Sequence, residues 1–355
     1  MARAAGSADH MPSMSCEILT VDPEAPEAMP IARAAAVLRA GGLVAFPTET
    51  VYGLGANALD AGAVAKIFAA KGRPSTNPII VHVPDAATAC TLAADWPAEA
   101  GALAARFWPG PLTLVLSRSA VVPDIVTAGG PTVAVRVPAH PVAQALLRAV
   151  AFPLAAPSAN RSTRLSPTRA EHVLGDLGDR IDLLLDAGST PGGLESTVLD
   201  VTTEPPRLLR PGLITPAQLV EVIGSVEQAT SDGGDKPRRS PGLLDKHYAP
   251  QTPLELLPDG RERVEALAAQ GLRVGWVTRA IDDGVATGAV ITLPMPQDAK
   301  AYAARLYAVL HNLDREQLDR IVVDLPPDTT EWLAVQDRLR RAAGPPPETL
   351  PPEHA

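Results

Sequence analysis

The sequence predicts an α/β protein with two domains: a larger one on a twisted mixed sheet flanked by helices, and a smaller one on a parallel sheet. Three observations support this prediction. The 355 residues exceed what a single hydrophobic core usually serves. Hydrophobic residues make up 46% of the chain and aromatic residues only 3%, so Ala, Val, Leu and Ile must build the core, which suits a buried sheet. Short apolar strands also alternate with helical stretches along the chain.

The first part of the chain contains more strands than a simple repeat of strand and helix would give, which favours a mixed sheet. A helix over 31–40 begins after Pro30 and is stopped by Gly41-Gly42. Further helices are predicted at 62–70, 86–106, 141–150, 168–175 and 216–223. Strands are predicted at 43–46, 78–83, 112–116, 132–137, 154–156, 183–186, 197–201 and 207–209.

Changes in composition predict the domain boundaries. Residues 1–17 lack periodic patterning and are expected to form a disordered N-terminus, so the first domain spans 18–224. Residues 225–250 are polar and rich in Gly, Ser and Pro, as in an exposed linker. A Rossmann-like domain of doubly wound type follows over 251–343, and the Pro-rich residues 344–355 are expected to be a disordered tail. Its strands are predicted at 254–257, 273–277, 290–293 and 321–324, and its helices at 260–269, 298–312 and 330–342.

Bulk properties argue against several classes of protein. A formal net charge of −9 disfavours a protein that coats nucleic acid, because phosphate binding depends on clustered Lys and Arg. Cys16 and Cys90 have neither disulfide nor metal-ligand spacing, which favours a reducing cytosol. The sequence shows neither a signal-peptide pattern nor an apolar run near the ~20 residues of a membrane span. We therefore expect a cytoplasmic protein without a membrane or metal site.

A polar, glycine-rich segment follows the strand at 43–46 and reads PTETVYGLGAN. Turns at strand ends are where α/β proteins place ligands. The spacing Gly53-x-Gly55-x-x-Ala58 imitates a dinucleotide fingerprint, but the PTET insertion separates it from the strand and no clear helix start follows. The segment therefore predicts a ligand-binding turn of another kind.

The loop KGRPSTNP, residues 71–78, carries two cations, two hydroxyls and an amide directly before a strand that ends in His82. Such a loop can bind a polyphosphate, because Arg makes forked contacts and Lys provides a point charge. An equally good interpretation is that Lys71 and Arg73 only complement the dipole at a helix C-terminus. A histidine such as His82, taken alone, is more often structural than catalytic.

Arg136 interrupts the apolar strand TVAVRVP, where an unpaired buried charge would cost free energy. Its guanidinium therefore requires an anionic partner, either an internal carboxylate or a ligand. Small polar residues also follow strand ends in AAPSAN, GLESTV and LRPG, and their convergence would form a pocket, although Ser166 or Thr168 after AAPSAN can also be explained as a helix N-cap. The sequence has no P-loop, HExxH or GxSxG motif, so any ATP is bound without a P-loop.

Seven motifs then carry a family resemblance, in the order AFPTETVYGLGANA, KGRPSTNPIIVHV, FWPGPLTLVL, TVAVRVPAHP, AAPSAN, ESTVLD and LRPG. Together they resemble the YrdC-type threonylcarbamoyl-AMP synthases over about residues 30–215, and SPGLLDKHYAP with the smaller domain resembles the two-domain members. The resemblance implies a YrdC-like first domain and a nucleotidyltransferase. Its reaction would form L-threonylcarbamoyl-AMP and pyrophosphate from L-threonine, bicarbonate or CO₂, and ATP, for threonylcarbamoyladenosine modification of tRNA beside the anticodon.

The same resemblance implies roles for individual residues. The threonine side would comprise Thr50, His82, Arg136, Ala156 and Ser196. The ATP side would comprise Arg73, Asn77, Thr132, Ser158, Ser166, Arg210 and Tyr248, with the linker acting as a lid. No protein nucleophile is needed, so Lys71, Arg73 and Arg136 are the candidates for stabilising charge during catalysis.

The resemblance also bears on cofactors and partners. Mg²⁺ is expected to accompany ATP, held by phosphates and water, and Glu49 and Glu195 are the acidic candidates near it. The product would pass to a separate tRNA threonylcarbamoyl transferase complex, so tRNA binding by this chain is possible but not required. One alternative is a double-stranded RNA-binding module without turnover, against which the negative charge argues. Another is a carbamoyl-phosphate-using relative, although such relatives carry zinc-finger and acylphosphatase-like modules with no counterpart in this sequence.

Overall fold

A computed structural model describes residues 16–228, 248–280 and 288–344 of the chain. Within these ranges the strands form one sheet of eleven strands and one of four. The strands of the larger sheet are β1 Glu17–Thr20, β2 Val44–Phe46, β3 Gly53–Asn57, β4 Ile80–His82, β5 Leu112–Ser117, β6 Thr132–Arg136, β7 Leu154–Ala155, β8 Leu183–Asp186, β9 Thr197–Asp200, β10 Arg207–Arg210 and β11 Glu227–Gln228. The helices that accompany it are α1 Ala28–Arg39, α2 Ala61–Lys71, α3 Ala86–Leu92, α4 Ala98–Phe107, α5 Asp124–Thr127, α6 Pro141–Val150, α7 Ala170–Leu177 and α8 Pro216–Ile223.

The larger sheet has the strand order β1-β8-β2-β3-β7-β4-β6-β5-β9-β10-β11. Parallel pairs such as β4 with β6 alternate with antiparallel pairs such as β5 with β6, which confirms the predicted mixed sheet. The parallel register of β4 and β6 places His82 beside Arg136. Two residues that lie far apart in the sequence are thereby neighbours at one end of the sheet.

The smaller sheet is entirely parallel, with the order β12-β15-β13-β14. Its elements are β12 Leu254–Leu257, α9 Arg261–Ala269, β13 Val274–Thr278, β14 Val290–Pro294, α10 Ala299–Arg315, β15 Arg320–Asp324 and α11 Leu333–Ala343. Helix α9 packs on the sheet face that carries Trp276 and Val322, whereas α10 and α11 pack on the face that carries Val277 and Val323. Helices on both faces of a parallel sheet confirm the doubly wound prediction. No helix within the described ranges is long and apolar enough to cross a membrane.

Two segments differ from the prediction for local physical reasons. The glycine-rich segment expected to be a turn forms β3, because Gly53 and Gly55 let it pack directly against Phe46 of the antiparallel neighbour β2. A Cβ atom at Gly55 would lie 2.9 Å from the Phe46 ring. The helix expected over 86–106 is divided into α3 and α4, because the residue before Pro97 is disfavoured in helical conformation and Pro97 caps the second helix.

Two short strands were not predicted. Strand β1 starts at Glu17, inside the segment expected to be disordered, and pairs with β8. Strand β11 lies inside the expected linker and pairs with β10. The remaining residues of the predicted N-terminus, linker and tail, namely 1–15, 229–247 and 345–355, lie outside the described residues.

Alternation along the central strands sorts their side chains onto two faces. One face joins the main hydrophobic core, to which Val81, Val133 and Val135 belong. The other face carries a small apolar patch made of Ile80, Val115, Ala134, Val198 and Leu209. His82 and Arg136 follow Ile80 and Ala134 by two residues, so they lie on this second face. Of this patch, Ile80 lines the candidate site, together with His82 and Arg136.

Candidate active site

A pocket with about 520 Å³ of empty space, part of it open to solvent, lies at the ends of β4 and β6, where His82 and Arg136 line it. Its walls come from the ends of several strands and from the loops that follow them. The lining contains nine of the residues that the sequence predicts for the site, namely Thr50, Arg73, His82, Arg136, Ala156, Ser158, Ser196, Arg210 and Tyr248. It also contains Thr48, Val51, Gly53, Ile80, Pro157 and Glu195. The strand-end segments therefore converge as the sequence suggests.

Arg136 has the internal carboxylate that its burial requires. Its Nη2 lies 2.6 Å from Oε1 of Glu49, its Nη1 donates to the Thr50 hydroxyl at 3.0 Å, and its Nε donates to the Gly110 carbonyl at 3.3 Å. Neither oxygen of Glu49 has hydrogen-bond geometry to a partner in the described part of the chain. A guanidinium has five N–H groups, and Arg136 makes one contact through each of its three nitrogens. It therefore keeps donors available for a second carboxylate.

Thr48 organises the turn that presents Thr50, a role that sequence reasoning missed. The Thr48 hydroxyl donates to the Val51 carbonyl at 2.7 Å and accepts from the Val51 and Thr50 amides at 3.2 and 3.1 Å. The Thr50 hydroxyl lies 2.7 Å from that of Thr48. A Thr side chain that bonds its own following backbone in this way is a known turn device, so the Pro-Thr pair at the strand end was a usable signal.

His82 is buried at the end of β4, 3% exposed, with the edge of the Phe46 ring against it. Burial and the nearby charge of Arg136 lower the pKa of His82 to about 3. Its Nδ1 atom has no hydrogen-bond partner among the described residues. His82 is therefore neutral near pH 7, and it lines the pocket as a group that can make a hydrogen bond without carrying a charge.

Stability should fall on acidification partly because of His82. An unfolded histidine titrates near pH 6.5, so below that pH the unfolded chain binds a proton that folded His82 refuses. The contribution of His82 to the free energy of unfolding is fully present above about pH 7. It is lost as the pH falls toward 3, by up to about 4 kcal/mol. Urea unfolding measured between these limits should show a shallower pH dependence in His82→Gln than in wild type. Equal slopes would contradict the assignment.

Arg210, at the end of β10, lines the pocket because of a β-bulge. The register of β9 and β10 shifts between Leu208 and Arg210, which places Arg210 opposite Val198 on the pocket face. Its Nε and Nη2 donate to the Ser196 carbonyl at 3.1 and 3.0 Å, and Nη1 donates to the Tyr248 hydroxyl at 3.3 Å. The Ser196 hydroxyl is in turn 2.8 Å from that of Thr113.

Lys71 and Arg73, which the sequence treats as a pair, take different positions. Gly72 ends α2 in the left-handed conformation (φ 59°) and turns the chain between them. Lys71 points inward, and its buried ammonium donates to the carbonyls of Ser158 and Asn160. Burial, and secondarily Arg73, hold the pKa of Lys71 well below its usual value. Lys71 is not among the lining residues and supports the loop that presents Ser158.

Arg73 lines the pocket and is fixed by its own loop. Its Nε donates to the Asn77 carbonyl at 3.1 Å and its Nη2 to the Pro78 carbonyl at 2.7 Å. Burial lowers the pKa of Arg73 to about 10, so the guanidinium remains charged at neutral pH. Of the two interpretations of the KGRPSTNP loop, anion binding fits the position of Arg73. Lys71 instead donates hydrogen bonds to backbone carbonyls.

Besides Lys71, three further predicted residues, Asn77, Thr132 and Ser166, do not line the pocket. Asn77 is buried, and its side-chain amide atoms have no partner within the described ranges. Thr132 shares the pocket face of β6 with Arg136 but lies four residues earlier, about 13 Å away at strand spacing. Ser166 is fully buried behind Glu195, to which its hydroxyl donates.

Glu195 lines the pocket and contacts two residues of the second domain. Its buried carboxylate accepts from Nε of Arg338 at 2.6 Å and from the Tyr307 hydroxyl at 3.3 Å. Arg338 and Tyr307 lie on α11 and α10, and sequence reasoning missed both. One signal was available: Arg338 interrupts the apolar stripe of α11, three residues after Val335.

The fold and the pocket define an α/β protein without a P-loop motif, whose pocket is lined by three arginines, Arg73, Arg136 and Arg210. Residues 36–212 match the Sua5/YciO/YrdC family model, described as telomere recombination, and residues 214–344 match the threonylcarbamoyl-AMP synthase C-terminal domain. The threonylcarbamoyl-AMP synthase of Bacillus subtilis is 45% identical over 336 residues, covering 92% of this chain and 95% of the relative. That of Pyrococcus abyssi is 43% identical, covering 88% and 93%.

A solved structure gives the same result in three dimensions. The crystal structure of P. abyssi Sua5 complexed with L-threonine superposes with a TM-score of 0.85 at 42% identity, covering 92% of this chain and 97% of that one. The chain therefore belongs to the threonylcarbamoyl-AMP synthase family, in its two-domain Sua5 form.

Proposed function

We propose that this chain is an L-threonylcarbamoyladenylate synthase, which forms threonylcarbamoyl-AMP and pyrophosphate from L-threonine, bicarbonate or CO₂, and ATP. The observation that carries the proposal is the convergence of Thr50, His82, Arg136 and Ser196 at one pocket that Arg73 and Arg210 also line. The names of the curated relatives favour this function over an RNA-binding module.

Threonine binds at the Arg136 end of the pocket. Arg136 holds its carboxylate, because the ion pair with Glu49 leaves N–H groups of the guanidinium available. Thr50, which Arg136 already contacts, and the hydroxyl of Ser196 provide polar neighbours for the rest of the amino acid. Neutral His82 can accept or donate one hydrogen bond without adding charge beside the amine.

The chemistry requires positioning more than a protein nucleophile. The threonine nitrogen attacks CO₂ and loses a proton to give a carbamate, whose oxygen attacks the α-phosphorus of ATP while the bond to the β,γ-pyrophosphate breaks. Arg73 and Arg210 stabilise the negative charge on the phosphates. Lys71 acts indirectly, because its hydrogen bonds to two backbone carbonyls hold the loop that carries Ser158. Asn77, Thr132 and Ser166 are proposed to complete the ATP side.

Mg²⁺ would enter with ATP as part of the substrate. The described residues contain no group of three or more side chains suited to hold a metal ion. Both acidic candidates are already paired, Glu49 with Arg136 and Glu195 with Arg338. We propose that the phosphates and water hold the ion, which would supply charge neutralisation there.

The cellular setting is proposed on the same basis. We place the enzyme in the cytoplasm, since both cysteines, Cys16 and Cys90, are free in the structure. The residues proposed here account for the binding of threonine and ATP without tRNA. A separate transferase complex would therefore carry the threonylcarbamoyl group to tRNA.

The decisive test is pyrophosphate release from ATP with bicarbonate in the presence of L-threonine, L-serine or no amino acid, with the nucleotide product identified by mass. Threonine-dependent release and a threonylcarbamoyl-adenylate mass are expected. Release that is independent of the amino acid, or AMP as the sole nucleotide product, would reject the proposal in favour of ATP hydrolysis.

Tyr248→Phe should have a modest effect that is confined to ATP. The substitution removes only the hydroxyl that accepts from Arg210 at 3.3 Å and keeps the ring between its neighbours. A loss of about 1 kcal/mol predicts a rise of about fivefold in KM for ATP, with KM for threonine unchanged. Steady-state kinetics with each substrate varied in turn would measure both. An equal rise for both substrates would place Tyr248 elsewhere.

A further inference from the structure

We propose that Arg338, on helix α11 of the second domain, is a positioning residue for the ATP side of the pocket. It neutralises the Glu195 carboxylate and holds the ring of Tyr248, both of which line the pocket. The inference rests on the proposed function and gives the second domain a part in it.

The contacts of Arg338 account for all three nitrogens of its guanidinium. Nε donates to Glu195 at 2.6 Å, Nη2 donates to the Pro211 carbonyl at 3.0 Å, and Nη1 donates to Asp337 at 2.5 Å. The side chain has no exposed surface. Two of these partners belong to the first domain and flank the pocket residues Ser196 and Arg210 in sequence.

Glu195 needs Arg338 as a partner because its carboxylate is buried in the wall of the pocket. The charges of Arg338 and Arg210 and the Ser166 hydroxyl hold the pKa of Glu195 below its usual value, against the opposing effect of burial. The carboxylate is therefore ionised in the wall of a pocket that must accept a triphosphate. Without Arg338 its charge would repel the phosphates across a medium that screens poorly.

The second contact reaches the nucleotide side through Tyr248. The guanidinium carbon of Arg338 lies 5.0 Å from the centroid of the Tyr248 ring, a cation–π distance. The backbone of Tyr248 has φ 60°, a left-handed conformation that is uncommon for residues other than glycine. Packing must hold such a residue in place, and Tyr307 lies on the ring as well, at 6.1 Å between centroids. The Tyr248 hydroxyl in turn accepts from Arg210.

The same helix offers a matched control. Arg340 is exposed and its recorded partner is Gln336 of the same helix, one turn earlier. Arg340→Met removes an equal charge from α11 without touching the pocket wall. It should leave both substrate constants as in wild type.

The test measures the Kd for ATP by calorimetry in the absence of threonine, together with kcat and both KM values. Arg338→Met, which keeps the length of the side chain, should raise the Kd and KM for ATP at least about tenfold and change KM for threonine much less. Glu195→Gln should act in the opposite direction and lower the Kd for ATP about threefold. The double variant should return to within about threefold of wild type, because it buries no unpaired charge.

An unchanged Kd for ATP in folded Arg338→Met, or a double variant as weak as Arg338→Met, would overturn the inference. If Arg338→Met does not fold, Glu195→Gln decides, because a Kd equal to or above that of wild type would also overturn it. Calorimetry keeps this result separate from the proposed function. Variants that shift ATP affinity as expected support the positioning role even if wild type forms no threonine-dependent product.

Discussion

Arg136→Ala is expected to lower kcat/KM for L-threonine at least about a hundredfold, equivalent to about 2.7 kcal/mol of transition-state stabilisation. Arg136 is the buried cation at the threonine end of the pocket, and a charge-assisted, forked contact to the substrate carboxylate is lost with it. Threonine-dependent pyrophosphate release, with the melting temperature measured in parallel, checks the prediction.

The matched controls separate substrate binding from the internal ion pair. Arg136→Ala leaves Glu49 without its cation, so Glu49→Gln combined with Arg136→Ala removes that penalty. If the double variant melts like wild type and remains inactive, the loss is due to the substrate contact. Arg136→Lys keeps the charge but not the forked geometry and should recover only part of the activity. Turnover close to wild type in folded Arg136→Ala would exclude Arg136 from the site.

Lys71→Met should destabilise the protein by about 2–6 kcal/mol and also slow turnover. The substitution leaves the buried carbonyls of Ser158 and Asn160 without their donor, and each unsatisfied group costs about 1–3 kcal/mol. The loop that carries Ser158 into the pocket loses its anchor at the same time. Urea unfolding gives the stability change, and kinetics at a temperature where the variant is fully folded give the second effect.

Lys66→Met is the control for this prediction because it lies on the same helix. The Lys66 ammonium also donates to a backbone carbonyl, that of Gly41 at 2.6 Å, but at an exposed position. Water can replace it there, so a change below about 0.5 kcal/mol is expected. Equal effects at positions 71 and 66 would show that burial of the Lys71 contacts does not matter.

Local patterns determined much of the first domain. The alternation in TVAVRVP and PIIVHV predicts two strands with a polar residue at the end of each, and the structure places those residues, Arg136 and His82, side by side on one face. Parallel pairing made them neighbours, since both strands end at the same edge. The order of the motifs then indicated the family before any contact was visible.

Other features were not predictable because they depend on distant partners. The glycines of β3 predict a turn when the sequence is considered alone. They form a strand in the structure because Phe46 of the neighbouring strand β2 packs against them. The family resemblance assigned Arg210 to the site, but the physical reason that it faces the pocket is a bulge in the pairing of β9 and β10, which depends on the register between strands. Lys71 and Arg73 look equivalent in sequence, and only the carbonyls that Lys71 reaches distinguish them.

The sequence by itself determined the fold class, the polar strand ends and the need of Arg136 for an anionic partner, because periodicity and the cost of a buried charge act locally. The tertiary structure alone decided that this partner is Glu49 and that Glu195 is neutralised by Arg338 from a second domain 143 residues away. Ion pairs and packing contacts join residues that are distant in sequence. Their partners come within contact distance only when both sheets have formed, so local sequence patterns cannot identify them.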